Sequence, residues 1–312
     1  MLAQLERLHP DSLRVVYRHF PLLPIHDKAS LAAQASQAAG EQGAFWPMHD
    51  LLFERYDQWV SLDPEAFLEW LIQIASELRL ELARFEEALR SARFQESVDA
   101  AFAVGVASGL TGTPTLFLNG ERMPVLGDLL ALEAAFRLAL LGPRQFAEYP
   151  AMEINPARVY FAHLNLNLGD VVLQLYPRSA PLAVNSFIFL AQHGWFDGVP
   201  FHQVIPGAVA VSGDPSGTGF GTPGYLFATE IDPGLSFDQP GMVGMASGGP
   251  NTNGSVFFIT LAPLPDFSGS YTLFGRVVEG LDLLTELEAR NPTLDILQAP
   301  QAVIESVTIE ER

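Results

Sequence analysis

The chain has 312 residues, 48% of them apolar and 17% charged, and carries a formal net charge of −19. That balance gives a folded chain enough core-forming material for two domains of ordinary size, and it excludes a disordered one. The acid excess runs through both halves, with 12 basic and 20 acidic side chains in residues 1–150 and 5 and 16 in residues 151–312. Neither half therefore offers the basic footprint that nucleic acid or an anionic membrane surface requires. No apolar run reaches the roughly 20 residues of a membrane helix, and no basic-then-apolar opening reads as a signal peptide. The absence of cysteine removes disulfides, thiolate metal sites and thiol catalysis. The seven histidines are scattered without ligand spacing, so no metal or other cofactor is expected.

In chain order, Leu13–Tyr17 alternates as a strand does. Residues 26–109 read as a series of helices, with Ala, Leu, Glu and Gln at a period of 3.6 and few breakers. Within them Asp63-Pro64-Glu65 is a helix start, Asp as cap and Pro in the first turn, leading into Phe67, Leu68, Leu71, Ile72 and Ala75. Pro114–Leu118 runs into Asn119-Gly120, a hairpin signal. Asp128–Leu141 reads as another amphipathic helix, stopped by Gly142-Pro143.

Residues 143–157, with Pro143, Pro150 and Pro156, suit a linker, which sets the expected domains at 1–142 and 158–312. From Tyr160 the texture is β. Short strands such as Val171–Leu175, Val256–Thr260 and Tyr271–Phe274 alternate with Gly/Pro-rich loops, and only Ala180–His193 and Gly280–Ala289 read as helical. Many short strands with two helices predict a closed antiparallel barrel.

The C-terminal half carries a series of motifs. It runs Ala180-Pro-Leu-Ala-Val-Asn-Ser-Phe187, Phe201-His-Gln-Val-Ile-Pro-Gly207 and Ser212-Gly-Asp-Pro-Ser-Gly-Thr-Gly-Phe-Gly221. Then come Met245-Ala-Ser-Gly-Gly-Pro-Asn-Thr-Asn-Gly-Ser255, Phe257-Phe-Ile-Thr260 and Phe274-Gly-Arg-Val-Val-Glu-Gly280. In this order and spacing, from about Arg158 to Glu310, the series resembles the cyclophilin family of peptidyl-prolyl isomerases. The resemblance implies an all-β domain, an eight-stranded antiparallel barrel closed by two helices. It also implies proline-containing polypeptide clients and cis/trans isomerisation of their X-Pro bonds.

In that family an Arg in the Phe-His-Arg motif donates to the proline nitrogen; here the position is Gln203. Gln donates without charge and without a guanidinium fork, so weakened catalysis is expected. Carried over position by position, the substrate-binding surface would comprise Ala208, Val209, Val211, Ser247, Gly248, Val256, Phe258, Phe267 and Tyr271. Ala208 and Val209 replace Phe and Met, Val211 and Val256 replace Gln, and Ser247 replaces Asn. Phe267 takes the place of a pocket Leu, and Tyr271 that of an aromatic His. Apolar lining is kept and polar directors are lost, which leaves a non-catalytic proline-peptide binder or chaperone module as the alternative reading. Phe201, Phe257 and Phe274 read as barrel core, His202 as a packed side chain, and Asn251 and Asn253 as turn-shaping residues. The Gly217–Gly224 stretch is followed by Pro223-Gly224-Tyr225 rather than by a helix, which argues against a nucleotide loop.

Three stretches of the N-terminal half, Val15–Leu22 with Ile25-His26, Gly43–Phe53 and Gly109–Gly120, resemble DsbA-type members of the thioredoxin superfamily, an α/β fold with a helical insertion. The resemblance places the family's cis-proline at Pro114. The family's first strand and Cys-x-x-Cys would precede Met1-Leu-Ala-Gln-Leu-Glu-Arg-Leu8, so a start set too late is expected, with a genuine domain without redox function as the alternative. A signal or anchor could then precede it, and the DsbA-like companion points to an extracytoplasmic task. As written, the chain has no thiol for disulfide exchange.

Overall fold

The computed structural model describes residues 1–124 and 127–312. By its internal packing the chain divides into two compact units, Pro10–Val125 and Met1–His9 together with Leu126–Arg312.

The first unit is helical, with a small hairpin. Its helices are α2 (Ala29–Gly40), α3 (Phe45–Glu54), α4 (Tyr56–Trp59), α5 (Pro64–Glu77), α6 (Leu82–Arg90) and α7 (Gln95–Ala107); α1 (Leu2–Leu8) belongs to the other unit. The Asp63 side chain accepts the Ala66 amide at 2.9 Å, with Pro64 opening α5, as the sequence motif predicts. The alanine-rich face of α2 presents Ala35, Ala38 and Ala39 to Met48 and Leu52 of α3, Phe67, Leu71 and Ile74 of α5, and Phe85 of α6. The hairpin pairs β1 (Leu116–Leu118) with β2 (Glu121–Met123). Asn119 and Gly120 turn it at φ +50° and +88°, the left-handed pair that a two-residue hairpin loop needs. The Thr113–Pro114 bond is cis. Leu13–Tyr17, expected as a strand, forms none. Alternation makes a strand only where another strand accepts its ladder bonds, and among the described residues β1 and β2 pair only with each other.

In the second unit α8 (Leu129–Leu141) is capped by Asp128, which accepts the Ala131 amide at 2.8 Å, and ends in a 3-10 turn at Gly142–Arg144. Buried Glu133 joins α1 to α8, held by His9 at 2.8 Å and Arg137 at 2.6 Å. Residues 143–157 lie along the sheet domain. Tyr149 Oη donates to Leu182 O at 2.8 Å, and Asn185 Oδ1 accepts the Glu153 amide at 2.9 Å.

The sheet is built from β3 (Tyr160–Leu166), β4 (Gly169–Leu175), β5 (Val199–Pro200), β6 (Gln203–Ile205), β7 (Val209–Ser212), β8 (Met242–Met245), β9 (Phe257–Thr260), β10 (Leu273–Glu279) and β11 (Val303–Glu311). Its order is β5-β11-β3-β4-β10-β8-β9-β7-β6, all antiparallel. The end strands β5 and β6 are separated by only Phe201 and His202, so the sheet must curl round on itself. Among the described residues nine strands appear in this sheet where eight were expected, and β5, two residues long, pairs there only with the last strand. Two helices accompany the sheet, α9 (Pro181–Gln192) and the short α10 (Leu281–Thr285). The latter stops well before the expected Ala289. Inside the curl lie Phe187, Phe196, Phe201, Phe257 and Phe274, each 3% exposed or less.

Candidate functional site

Alternation along three strands makes two apolar layers. On β7, Ala210 faces the barrel core while Val209 and Val211 face away; on β9, Phe257 and Ile259 face the core while Phe258 faces away. On β8, Val243 and Met245 are core and Met242 lies on the opposite face. Successive strand residues point to opposite faces, and here both faces are apolar because the outer one carries a cluster of its own.

That outer cluster unites Val209, Val211, Phe237, Met242, Phe258 and Leu273, with Val256, Phe267, Tyr271, Tyr176 and Leu264 packed against it. Its centre is Phe258, 3% exposed. Phe267 meets that ring edge-on at 5.5 Å, Tyr271 at 5.5 Å and 84°, and Phe237 lies 5.4 Å away. These are favourable aromatic geometries. Gly244, across the ladder from Phe258, leaves the room this ring needs, since a Cβ there would meet the Phe258 ring and, at 2.8 Å, Phe237.

Gln203 sits on β6 opposite Val211, which sits on β7 opposite Phe258. One register row thus carries an amide, an apolar side chain and the aromatic centre. Gln203 is partly buried, and its side-chain amide has no hydrogen-bond partner among the described residues. Ala208 occupies the turn before β7, where its carbonyl accepts the Leu261 amide at 2.7 Å. Ser247 and Gly248 lie in the loop after β8, partly buried and exposed respectively. The structure therefore gathers Val209, Val211, Val256, Phe258, Phe267 and Tyr271 into one body, with Gln203 in the same row. It leaves Ala208, Ser247 and Gly248 outside the apolar cluster.

Phe237 was missed by the sequence reading. It stands in a loop of Ser, Asp, Pro and Gly without period, where no pattern signals burial, and only its neighbours reveal it.

Burial pushes the phenol of Tyr176, at the edge of the cluster, up, partly offset by Arg276. His202, beside Gln203, is 2% exposed, and its Nδ1 has no partner among the described residues. Burial lowers its pKa, with Asp214 pulling it back, so the ring is neutral at pH 7 and not a cation for the site. Asn253, fully buried, donates to Ala228 O at 3.0 Å and Thr272 Oγ1 at 3.2 Å, a loop-shaping role. Among the described residues no cluster of three His, Asp or Glu could hold a metal ion, and no helix is long and apolar enough to cross a membrane.

The second unit is thus a curled antiparallel sheet with an apolar, aromatic cluster on one outer face and the Gln203 amide in the same register row. The chain belongs to the cyclophilin-type peptidyl-prolyl cis-trans isomerase family, whose model matches residues 161–310. It is 40% identical to peptidyl-prolyl cis-trans isomerase B of Streptomyces anulatus, over 50% of this chain and 99% of that protein. It is 43% identical to peptidyl-prolyl cis-trans isomerase-like 1 of Gibberella zeae, over 40% of this chain and 78% of the relative. A solved Cryptosporidium parvum cyclophilin type peptidyl-prolyl cis-trans isomerase matches with a TM-score of 0.45 and 33% identity, covering 49% of this chain and 99% of that one. Residues 3–133 match a thioredoxin model, so the N-terminal half is thioredoxin-like.

Proposed function

We propose that residues 158–312 bind X-Pro segments of polypeptide clients and isomerise them with weakened catalysis. The observation that carries this reading is the row Gln203–Val211–Phe258, which sets a donor amide beside an apolar aromatic surface. An X-Pro bond is nearly balanced between isomers but has a rotation barrier of roughly 18–20 kcal/mol. The barrier falls when a catalyst holds the ring in an apolar site and donates to the proline nitrogen as the amide twists and that nitrogen gains a lone pair. Gln203 can supply the hydrogen bond but not the charge, and charge-assisted bonds are roughly twice as strong. Ala208, Val209, Val211, Ser247, Gly248, Val256, Phe258, Phe267 and Tyr271 are the proposed client-binding residues.

Exchange spectroscopy on a short X-Pro peptide tests the proposal. Exchange faster than the uncatalysed rate supports turnover, and an unchanged rate removes it. The second reading, a binder or chaperone module without turnover, is favoured by the apolar or uncharged residues at the directing positions Gln203, Val211, Ser247 and Val256 and by the packing of Phe267 and Tyr271 on Phe258. It expects proline-peptide shift changes without exchange enhancement.

The finer architecture follows the same reading. Taking two-residue β5 as an extension of the sheet edge leaves eight principal strands. The helical run from α2 to α7, followed by the β1–β2 hairpin, fits a DsbA-type helical insertion. Residues 1–142 would form the thioredoxin-like domain, with 143–157 as the connection and Pro114 as its cis-proline. Disulfide exchange is disfavoured, because the chain has no cysteine.

A further inference from the structure

On another part of the second unit, α8 and the loop after β7 border an open concavity of about 300 Å³ lined by Arg137, Leu140, Leu141, Arg144, Pro215 and Ser216. The two arginines are seven residues apart, about two helical turns, which brings them to one side of α8 and its 3-10 extension. Each is held by bonds that leave other N–H groups open. Arg137 donates from Nε to Glu133 at 2.6 Å and from Nη2 to Ile296 O at 2.9 Å. Its Nη1, with no acceptor among the described residues, lies 3.7 Å from where a Cβ on Gly217 would stand. Arg144 donates from Nη2 to Gly194 O at 3.3 Å and Trp195 O at 3.1 Å, its guanidinium 5.6 Å from the Trp195 ring centre. Its Nε and Nη1 have no acceptor among the described residues.

The nearby carboxylates do not compete for these donors. Glu133 is taken up by His9 and Arg137. Asp214 accepts from Ser216 N and Oγ, Thr218 Oγ1, Gly219 N and Gly221 N. Arg290 adds positive charge near Arg137, each guanidinium gripping carbonyls of the 295–298 turn. In a chain with 17 basic side chains against 36 acidic ones, two anchored guanidiniums around one unfilled volume form a local exception to the field of the molecule. The planar fork of Arg matches phosphate and carboxylate oxygens in pairs.

We propose that this concavity is a binding site for a small oxyanion, a phosphoryl or carboxylate group, held by the open N–H groups of Arg137 and Arg144. The site shares no residue with the proline-binding row, so it can fill independently of isomerisation.

The test is amide and arginine-side-chain NMR of the full chain, with inorganic phosphate or acetate titrated against chloride at constant ionic strength. Saturable shifts at Arg144 Nε–H and the Ser216 amide are expected, stronger with phosphate if the group is phosphoryl and with acetate if it is carboxylate. Arg144→Gln should weaken binding about ten- to hundredfold, the loss of a charged hydrogen-bonding pair. Leu140→Glu, at a helix position 44% exposed where folding is not at stake, should abolish binding and leave peptide exchange rates unchanged. Shifts that do not saturate with either anion, or titration curves that L140E leaves in place, would overturn the proposal.

Discussion

Gln203 and Val211 face each other across the β6–β7 ladder, so the amide proposed to donate to the client has an apolar side chain, not a polar one, as its cross-strand neighbour. Cross-strand partners lie about 4.5–5.5 Å apart at Cβ, close enough for Val211 to shape what residue 203 can do. Val211 offers nothing to orient a donor.

Gln203→Arg should therefore raise kcat/KM, on the order of 100-fold if the guanidinium reaches the twisted amide. Pairing it with Val211→Gln, which gives the guanidinium an acceptor across the ladder, should raise it further. A protease-coupled assay on an X-Pro peptide reads both. Equal rates in wild type and the single variant would show that position 203 does not address the proline nitrogen.

Phe267 meets Phe258 edge-on at 5.5 Å and lies 5.0 Å from Tyr271. Such a ring pair is worth about 0.5–1.5 kcal/mol. Phe267→Leu removes it and takes aromatic contact area from the proposed client surface, so proline-peptide affinity should fall several-fold in an NMR titration. A rise in affinity would instead make the Phe267 ring a cover over Phe258 and not part of the contact surface.

Gly244 is demanded by packing rather than by backbone conformation. A methyl group there meets Phe258 and Phe237, both deeply buried. Gly244→Ala should cost about 1–3 kcal/mol, the usual penalty for overpacking, visible as a lower thermal midpoint together with weaker client binding. Unchanged stability would mean that the two rings shift freely.

His19 gives the thioredoxin-like half a pH dependence. Burial holds its pKa down to about 4, with His49 adding to the effect, and its Nε2 has no partner among the described residues. Unfolded, the ring titrates near 6.5, so between these values the unfolded state binds more protons. The stability contribution is present above pH 6.5 and is lost as pH falls towards 4, amounting to about 3 kcal/mol when complete. Chemical denaturation of wild type and His19→Gln across this range should show a steeper acid loss in the wild type. Parallel profiles would contradict the assignment.

Much of this architecture was legible in local chemistry. Asp63-Pro64 and Asp128 cap their helices because a carboxylate one residue before a helix satisfies an amide wherever the helix packs, and Asn119-Gly120 turns a hairpin by backbone freedom alone. Phe201, Phe257 and Phe274 read as core and are core. Leu13–Tyr17 shows the converse. Its alternation is strand-like, yet pairing needs a partner that no local pattern supplies.

The sequence by itself determined the family, through an ordered set of motifs, and the chemical poverty of the site, through Gln203, Val211, Ser247 and Val256. It also left these 312 residues without a thiol, since they contain no cysteine. Only the tertiary structure decided that Val209, Val211, Phe258, Phe267 and Tyr271 form one aromatic body, that Phe237 from an unpatterned loop completes it, and that Arg137 and Arg144 converge on a cavity. The reason is physical. Caps, turns and alternation act over a few residues, whereas a cluster joins segments tens of residues apart whose meeting depends on the order of strands in the sheet and on the small volume that Gly244 leaves unfilled.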